Sequence, residues 1–389
     1  MKYKYLEYLR AFAALVVFIN HIVGKLPYLI LHKSLVLQSI GAWGTEAVII
    51  FFLLSGAVIN HTVKKYKQDT KVFLQKRAIR ILPIYYVCII LTILIDYITN
   101  FHSNSTINYW GSIFFVATLQ GTIAPPLSTI AVVWSLSFEV FFYLVFSFTI
   151  GKYQGILLRI WIFVAFVSLF LFYIKFENKL LSYFIFMFSF SSLWLFGYFI
   201  YEYKNKFRTT FSTAIFAFSM IPLINRLQIS PQFYDILVYL VTAFVCLPIF
   251  VYSLSGNEKV ETNNIIRITY LHYIPIYLIS AGLSIFCSKS MFISKLMYMS
   301  LPLISLLLLN SEIEFRIKNC LKKIDKFLLF TASISYALYL IHMPIIFLFG
   351  RLLPNSLLLN LCLIIIFSFA ISTFLEHYFQ KRISKFFNK

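Results

Sequence analysis

The chain has 389 residues, 60% of them hydrophobic and only 12% charged, with 34 Lys and Arg against 14 Asp and Glu for a formal net charge of +20. So apolar a composition excludes a soluble globule with a polar surface, and the bilayer is its natural solvent. The basic excess sits beside apolar runs, where topology and anionic lipid account for it without nucleic acid as a partner.

The apolar runs are near twenty residues, enough to cross about 30 Å of hydrocarbon at about 1.5 Å per residue, whereas barrel strands would be shorter and alternating. Spans are predicted over 11–31, 40–60, 81–99, 131–150, 156–174, 181–201, 209–224, 232–252, 265–286, 291–309, 329–349 and 356–375. The fold class is thus all-α, a polytopic membrane bundle of about 10–12 transmembrane helices, and one domain over residues 1–389 without a fused soluble domain. The stretch at 113–123 could be re-entrant. The amino terminus, the loops 61–80, 151–159, 201–208, 253–267 and 310–328, and the carboxyl tail hold 26 of the 34 basic residues, which predicts both termini in the cytoplasm. The first apolar stretch is too long for a signal peptide and carries Asn20 and His21, so it is expected to stay as a helix. Cys88, Cys246, Cys287, Cys320 and Cys362 are scattered and odd in number, which suits neither a disulfide framework nor a metal site.

Charge at membrane depth costs about 2.5–3.5 kcal/mol on insertion scales, so polar groups inside spans are the functional candidates. They are His21, Glu46, Glu139, His272 and His342, with Asp96 near an outer edge. In the first helix Glu7, Arg10, Ala14, Val17 and His21 form one stripe, with Arg10 and His21 about 16 Å apart in depth and within roughly 20° of each other. The bland alternative is that Arg10 snorkels while His21 bonds a neighbouring helix. Arg77 and Arg80 share a helix face at the cytoplasmic surface, where planar guanidinium forks suit phosphate oxygens; the positive-inside rule alone would also place them there. Trp134-Ser135-Leu136-Ser137-Phe138-Glu139 opens a span and puts Glu139 about 18 Å from its cytoplasmic end. That carboxylate could orient an imidazole, or be protonated and simply hydrogen-bonded.

Several of these segments, in their order, carry a resemblance that covers nearly the whole chain. Tyr5 to Ala14 leading to His21, with its arginine, ten residues, histidine spacing, is similar to the opening helix of the acyltransferase-3 family. Phe51-Phe52-Leu53-Leu54-Ser55-Gly56 resembles that family's FFxxSG element, and Arg77 and Arg80 followed by Leu82-Pro83-Ile84-Tyr85-Tyr86 its RxxR motif. Trp134 to Glu139 with Phe142-Tyr143 resembles its WSLxxE…FY segment, and Ser335-Tyr336 through His342-Met343-Pro344 its SYxxYLxHxP segment. The chain departs where the family often has aspartate at Glu7, glycine at Ala47, an acid at Ile49, and proline after the late glutamate, where His377 follows Glu376. The second-helix changes leave Glu46 without an assigned role.

The resemblance implies a membrane acyltransferase of surface polysaccharide, lipopolysaccharide or lipid-linked glycan, in the bacterial inner membrane. The co-substrate is acetyl-CoA or another acyl-CoA bound from the cytoplasm, with no metal. The partners are the carbohydrate acceptor, membrane lipid and a separate extracytoplasmic protein for any hydrolase-like step. Its expected roles are His21 as general base or transient acyl carrier, Glu139 orienting it, and Arg10, Arg77 and Arg80 on the donor. Ser135, Tyr143 and His342 are further site candidates, though His342 before Pro344 could instead bond the carbonyl freed at a helix kink. A transporter or flippase of lipid-linked glycan, or a polysaccharide polymerase, is the alternative class; it predicts paired half-repeats or a large outer loop.

Overall fold

The structure, a computed structural model, describes residues 3–26, 43–66, 69–101, 103–118, 123–151, 153–174, 176–225, 227, 235–255, 265–287, 292–353 and 356–387. In chain order the helices are α1 (Lys4–Lys25), α2 (Gly44–Tyr66), α3 (Thr70–Ile98), α4 (Thr106–Ile113), α5 (Val133–Thr149), α6 (Gln154–Leu171), α7 (Lys179–Glu202), α8 (Phe211–Ser219) and α9 (Ile221–Asn225). They continue with α10 (Ile236–Ser255), α11 (Ile274–Cys287), α12 (Phe292–Ser305), α13 (Ser311–Lys323), α14 (Asp325–Leu352) and α15 (Leu357–Phe374), which runs through a π turn at Leu375–Phe379 into α16 (Gln380–Phe387). Two short strands, β1 (Phe207–Thr209) and β2 (Ile266–Ile268), pair in parallel.

Every expected span has its helix. Among the described residues seven helices are long and apolar enough to cross a membrane, and the Lys295–Leu309 stretch forms a pair with Ser311–Lys323 bent by 104°. The remaining spans are shorter apolar helices: α5, most of α6, the α8–α9 run and the region of α11. This is a multi-pass helical membrane protein.

The boundaries move both ways: the expected span 265–286 starts as a helix only at Ile274, because β2 and a 3-10 turn occupy its first residues, and α6 stops at Leu171 rather than 174, whereas the basic ends lengthen. Helix α1 starts at Lys4 rather than at residue 11, α2 continues to Tyr66, and α3 starts at Thr70 rather than at 81. The basic 61–80 stretch is therefore mostly two helix ends, the second capped by Asp69, whose side chain accepts from the Val72 N–H at 2.7 Å. Hydropathy falls at the first lysine, but lysine and arginine are good helix formers whose stems stay along apolar surface. The same holds for 310–328, most of which is α13. The predicted limits at 31, 40, 232 and 291 lie outside the described residues.

The chain divides into two compact units, interleaved in sequence. The first comprises residues 1–13, 42–61 and 193–332. Its central seam is a close crossing of α2 and α7. A methyl added at Gly56 would stand 2.1 Å from the Trp194 carbonyl oxygen, and one at Gly197 would stand 2.1 Å from the Leu53 carbonyl oxygen. Only glycine lets the backbones approach so far, and the Trp194 indole donates to Ser55 Oγ at 3.1 Å beside the crossing. At one end of this unit Lys4 pairs with Asp325 at 2.7 Å, Lys204 donates to Tyr3 at 2.7 Å, His61 meets Tyr201 at 2.6 Å and β1 lies along β2. These are segments that the charge rule assigns to one side.

The second unit comprises residues 14–41, 62–192 and 333–389. The Thr70 hydroxyl donates to the Ser147 carbonyl at 3.1 Å and the Gln380 amide to the Ile79 carbonyl at 2.7 Å, so the start of α3, the end of α5 and the carboxyl tail share an end. Arg351 donates to the Thr99 carbonyl at 3.2 Å, at the far ends of α14 and α3.

Candidate active site

All the predicted site residues except Arg10 fall in the second unit. Helix α14 organises them. Its Tyr336, Tyr339 and His342 recur at three-residue steps, so the two phenols and the imidazole follow one another along the helix over about 9 Å.

At the deepest of these steps two histidines distant in sequence meet. His342 Nε2 lies 2.9 Å from His21 Nδ1, with ring centroids 5.0 Å apart and the planes tilted by 37°. His342 is fully buried, its ring edge-on to Phe18, while His21 at the end of α1 is half-buried. His342 Nδ1 lies 2.8 Å from the Leu338 carbonyl oxygen, an acceptor only, so it carries the proton. In the neutral ring Nε2 then holds a lone pair and accepts from His21 Nδ1–H. That assignment, inferred from the bond network, leaves the lone pair of the neutral His21 ring on Nε2. The expectation that His342 bonds a carbonyl freed by Pro344 needs correcting. Proline at 344 frees the carbonyl four residues back, that of Leu340, whereas His342 is bonded to Leu338.

Helix α5 presents Ser135, Glu139 and Tyr143 at four-residue steps. The Ser135 and Tyr339 hydroxyls are 2.7 Å apart, and both lie within reach of the Val132 carbonyl, at 3.1 and 3.3 Å. The buried Tyr143 hydroxyl donates to Glu139 Oε1 in a short bond. Glu139 also acts electrostatically on Arg80, Tyr336 and Tyr339, which puts its charge among the residues of α3 and α14.

The two arginines of α3 differ. Arg80 makes a two-pronged pair with Glu376, at 2.5 and 3.0 Å, and stacks over the Tyr336 ring at 5.2 Å; the Tyr336 hydroxyl in turn donates to the Ile81 carbonyl at 2.9 Å. Arg77 lies over the rings of Phe73 and Tyr143 at 5.9 and 6.0 Å, and its buried Nε has no hydrogen-bond partner among the described residues. Glu376 was not among the predicted site residues. The expected span ended at 375, one position short of it, whereas the helix continues through the π turn and buries this carboxylate, with 4% of its side chain exposed. The Ala337 N–H donates to the same carboxylate at 3.3 Å.

Arg10 belongs to the first unit, where both its contacts run to the Glu7 carboxylate, at 2.9 and 3.2 Å. Asp96 is buried and accepts from Asn104 at 2.8 Å and Tyr109 at 3.2 Å, which fastens the end of α3 to the segment that follows. His272 forms a capping arrangement with Thr269 at 2.9 Å on the surface. Glu46 is buried at 1% exposure near the start of α2.

What the second unit offers chemically is a lone-pair imidazole nitrogen, a cationic pair one to two helical turns away along α14, and hydroxyls and a carboxylate between them. A family model described as an acyltransferase domain, that of acyltransferase-3, matches residues 3–377. No curated protein and no solved structure matches the chain.

Proposed function

We propose that this chain, which belongs to the acyltransferase-3 family and is a membrane acyltransferase, moves an acyl group, acetyl foremost, from acyl-CoA in the cytoplasm to a hydroxyl of a cell-surface or lipid-linked carbohydrate. The host membrane in this reading is the bacterial inner membrane. The observation that carries the proposal is the His21–His342 hydrogen bond at 2.9 Å, because it fixes which nitrogen of His21 is basic.

His21 Nε2 takes the proton of the acceptor hydroxyl as its oxygen attacks the thioester carbonyl. The carbon–sulfur bond then breaks, and the proton goes to the departing thiolate, so ester and free thiol are the products. The same nitrogen could first carry the acyl group itself, with the sugar oxygen attacking in a second step. His342 holds the ring in its tautomer, as the carboxylate does in a catalytic triad, while its own bond to Leu338 keeps it neutral. The orienting role expected of Glu139 falls instead to His342, and Glu139, held by Tyr143, sets its charge among Arg80, Tyr336 and Tyr339. Ser135 and Tyr339 offer hydroxyls to the developing oxyanion or the incoming sugar.

A phosphate-bearing donor suits the cationic end. Arg77 has a buried Nε without a hydrogen-bond partner among the described residues. Arg80 is braced by Glu376 and presents its remaining N–H groups in a fixed direction. The test is the mass of the cell's surface glycan in a deletion strain and in strains carrying His21→Ala or Glu139→Gln, with membrane abundance checked. One acyl unit lost per repeat, at unchanged chain length, is the expected outcome; retained acyl groups in the deletion strain would overturn the reading.

A further inference from the structure

The one sheet among the described residues is two strands of three residues each, and it belongs to the first unit. Its register pairs Arg208 directly with Arg267. In-register residues of a parallel pair project to the same face with their strands about 4.8 Å apart, so the two guanidinium groups are set side by side, an arrangement that disfavours pairing. Topology does not require it. The positive-inside rule is met by basic residues anywhere in the two loops, with no need for them to share a face.

The neighbourhood adds charge of the same sign. Lys204 and Lys206 lie on the turn that leads into β1. Lys204 is held between the Tyr3 and Tyr201 rings at 5.2 and 4.9 Å, and Lys206 stands over the exposed Tyr203 ring at 5.1 Å. The carboxylate that closes α7 just before this turn, Glu202, accepts from Asn60 at 2.8 Å. Arg208 is tethered by one nitrogen, Nη1, which donates to the Phe207 carbonyl at 3.0 Å and reaches the Lys204 carbonyl at 3.5 Å. Its Nε and Nη2 remain available, and Arg267 is exposed. The Thr209 hydroxyl donates across to the Ile268 carbonyl at 3.1 Å and locks the strands together. Two guanidinium forks on a stiffened strand pair match an anion with several oxygens on neighbouring centres.

We propose that this strand pair is a phosphate-binding site, formed by Arg208 and Arg267 with Lys204 and Lys206, and that coenzyme A is a source of the phosphate it takes. The second clause rests on the donor being acyl-CoA. The first does not, since a phospholipid headgroup presents the same chemistry. The charge rule assigns both loops to the cytoplasm, where either source would be met.

The test uses the full chain in nanodiscs with zwitterionic lipid, titrated calorimetrically with coenzyme A and with dephospho-coenzyme A, in the wild type and in Arg208→Gln, Arg267→Gln and the double variant. A parallel series replaces part of the lipid with phosphatidylglycerol and measures thermal stability. Each single variant is expected to weaken coenzyme A binding about tenfold, with the advantage of coenzyme A over its dephospho form reduced. Loss of phosphatidylglycerol stabilisation with coenzyme A binding unchanged would keep the phosphate site and overturn the donor as its source. Variants that bind coenzyme A and respond to lipid as the wild type does overturn the site and leave the proposed function standing. A wild type that binds no coenzyme A overturns the proposed donor instead, and the lipid series then decides the site alone.

Discussion

Two motifs of this chain are equally easy to find in its sequence and do different work. Ser55-Gly56 in the first unit makes a seam: the glycine admits the Trp194 carbonyl to within a distance no side chain permits, and the serine takes the indole N–H. His21 and His342 in the second unit make a polar pair with a lone pair on His21 Nε2, in surroundings where a packing residue would be apolar. A motif therefore reports that a position is constrained, and the atoms around it report whether packing or chemistry imposes the constraint.

Substitutions can break that contrast. His21→Ala is expected to lower acyl transfer by about 10²–10⁴-fold, the usual contribution of a general base, with membrane abundance unchanged. A fall in abundance that matches the fall in activity would move His21 to the packing side. Arg80→Ala leaves the Glu376 carboxylate buried without its counter-charge and is expected to cost about 3–5 kcal/mol of stability, read as lost abundance. The double change Arg80→Ala with Glu376→Gln should recover most of that abundance. If it recovers activity as well, Arg80 has no part in holding the donor.

Gly56→Ala is expected to cost about 1–3 kcal/mol or more, because the obstructing atom is backbone and cannot swing away. Normal thermal stability in that variant would refute the seam. His342→Ala should reduce turnover about tenfold, as loss of a group that orients a functional imidazole does, and should shift the pH dependence of turnover as the tautomer of His21 is released. Unchanged turnover and an unchanged profile would make the histidine contact structural. Smallest is Ser55→Ala, expected to cost about 1 kcal/mol for one hydrogen bond with no effect on turnover per molecule.

The helices were legible because each is a long apolar run, and periodicity along α1 correctly put Arg10 and His21 on one continuous helix. Their ends were not, since Lys64, Lys65, Lys71 and Lys76 read as loop yet sit in helix at the ends of α2 and α3. Individual polar residues at depth were found one by one, while their partners were not. His21 and His342 are 321 positions apart and Arg80 and Glu376 are 296 apart, separations over which no local spacing rule operates. Glu376 stood out in the sequence only as the late glutamate before the departing His377, one residue past a hydropathy boundary that the helix ignores.

That helix changes its winding where it matters. Ahead of the π turn at Leu375–Phe379, α15 buries only Asn360, Ile364, Ser368 and Ser372, every fourth residue along a narrow stripe. A π turn holds one residue more than an α turn, so it takes up an extra residue while holding everything after it near the heading that a plain α-helix one residue shorter would give. Removing a single residue there would turn the π turn into an α turn that sweeps nearly the same angle with one residue fewer, so the tail would keep its heading and its approach to the Ile79 carbonyl. A one-residue deletion in the preceding apolar run is, by contrast, a rotation of the carboxyl terminus by about 100°, and a length polymorphism there is predicted to be far less tolerated than a single-residue deletion at 375–379.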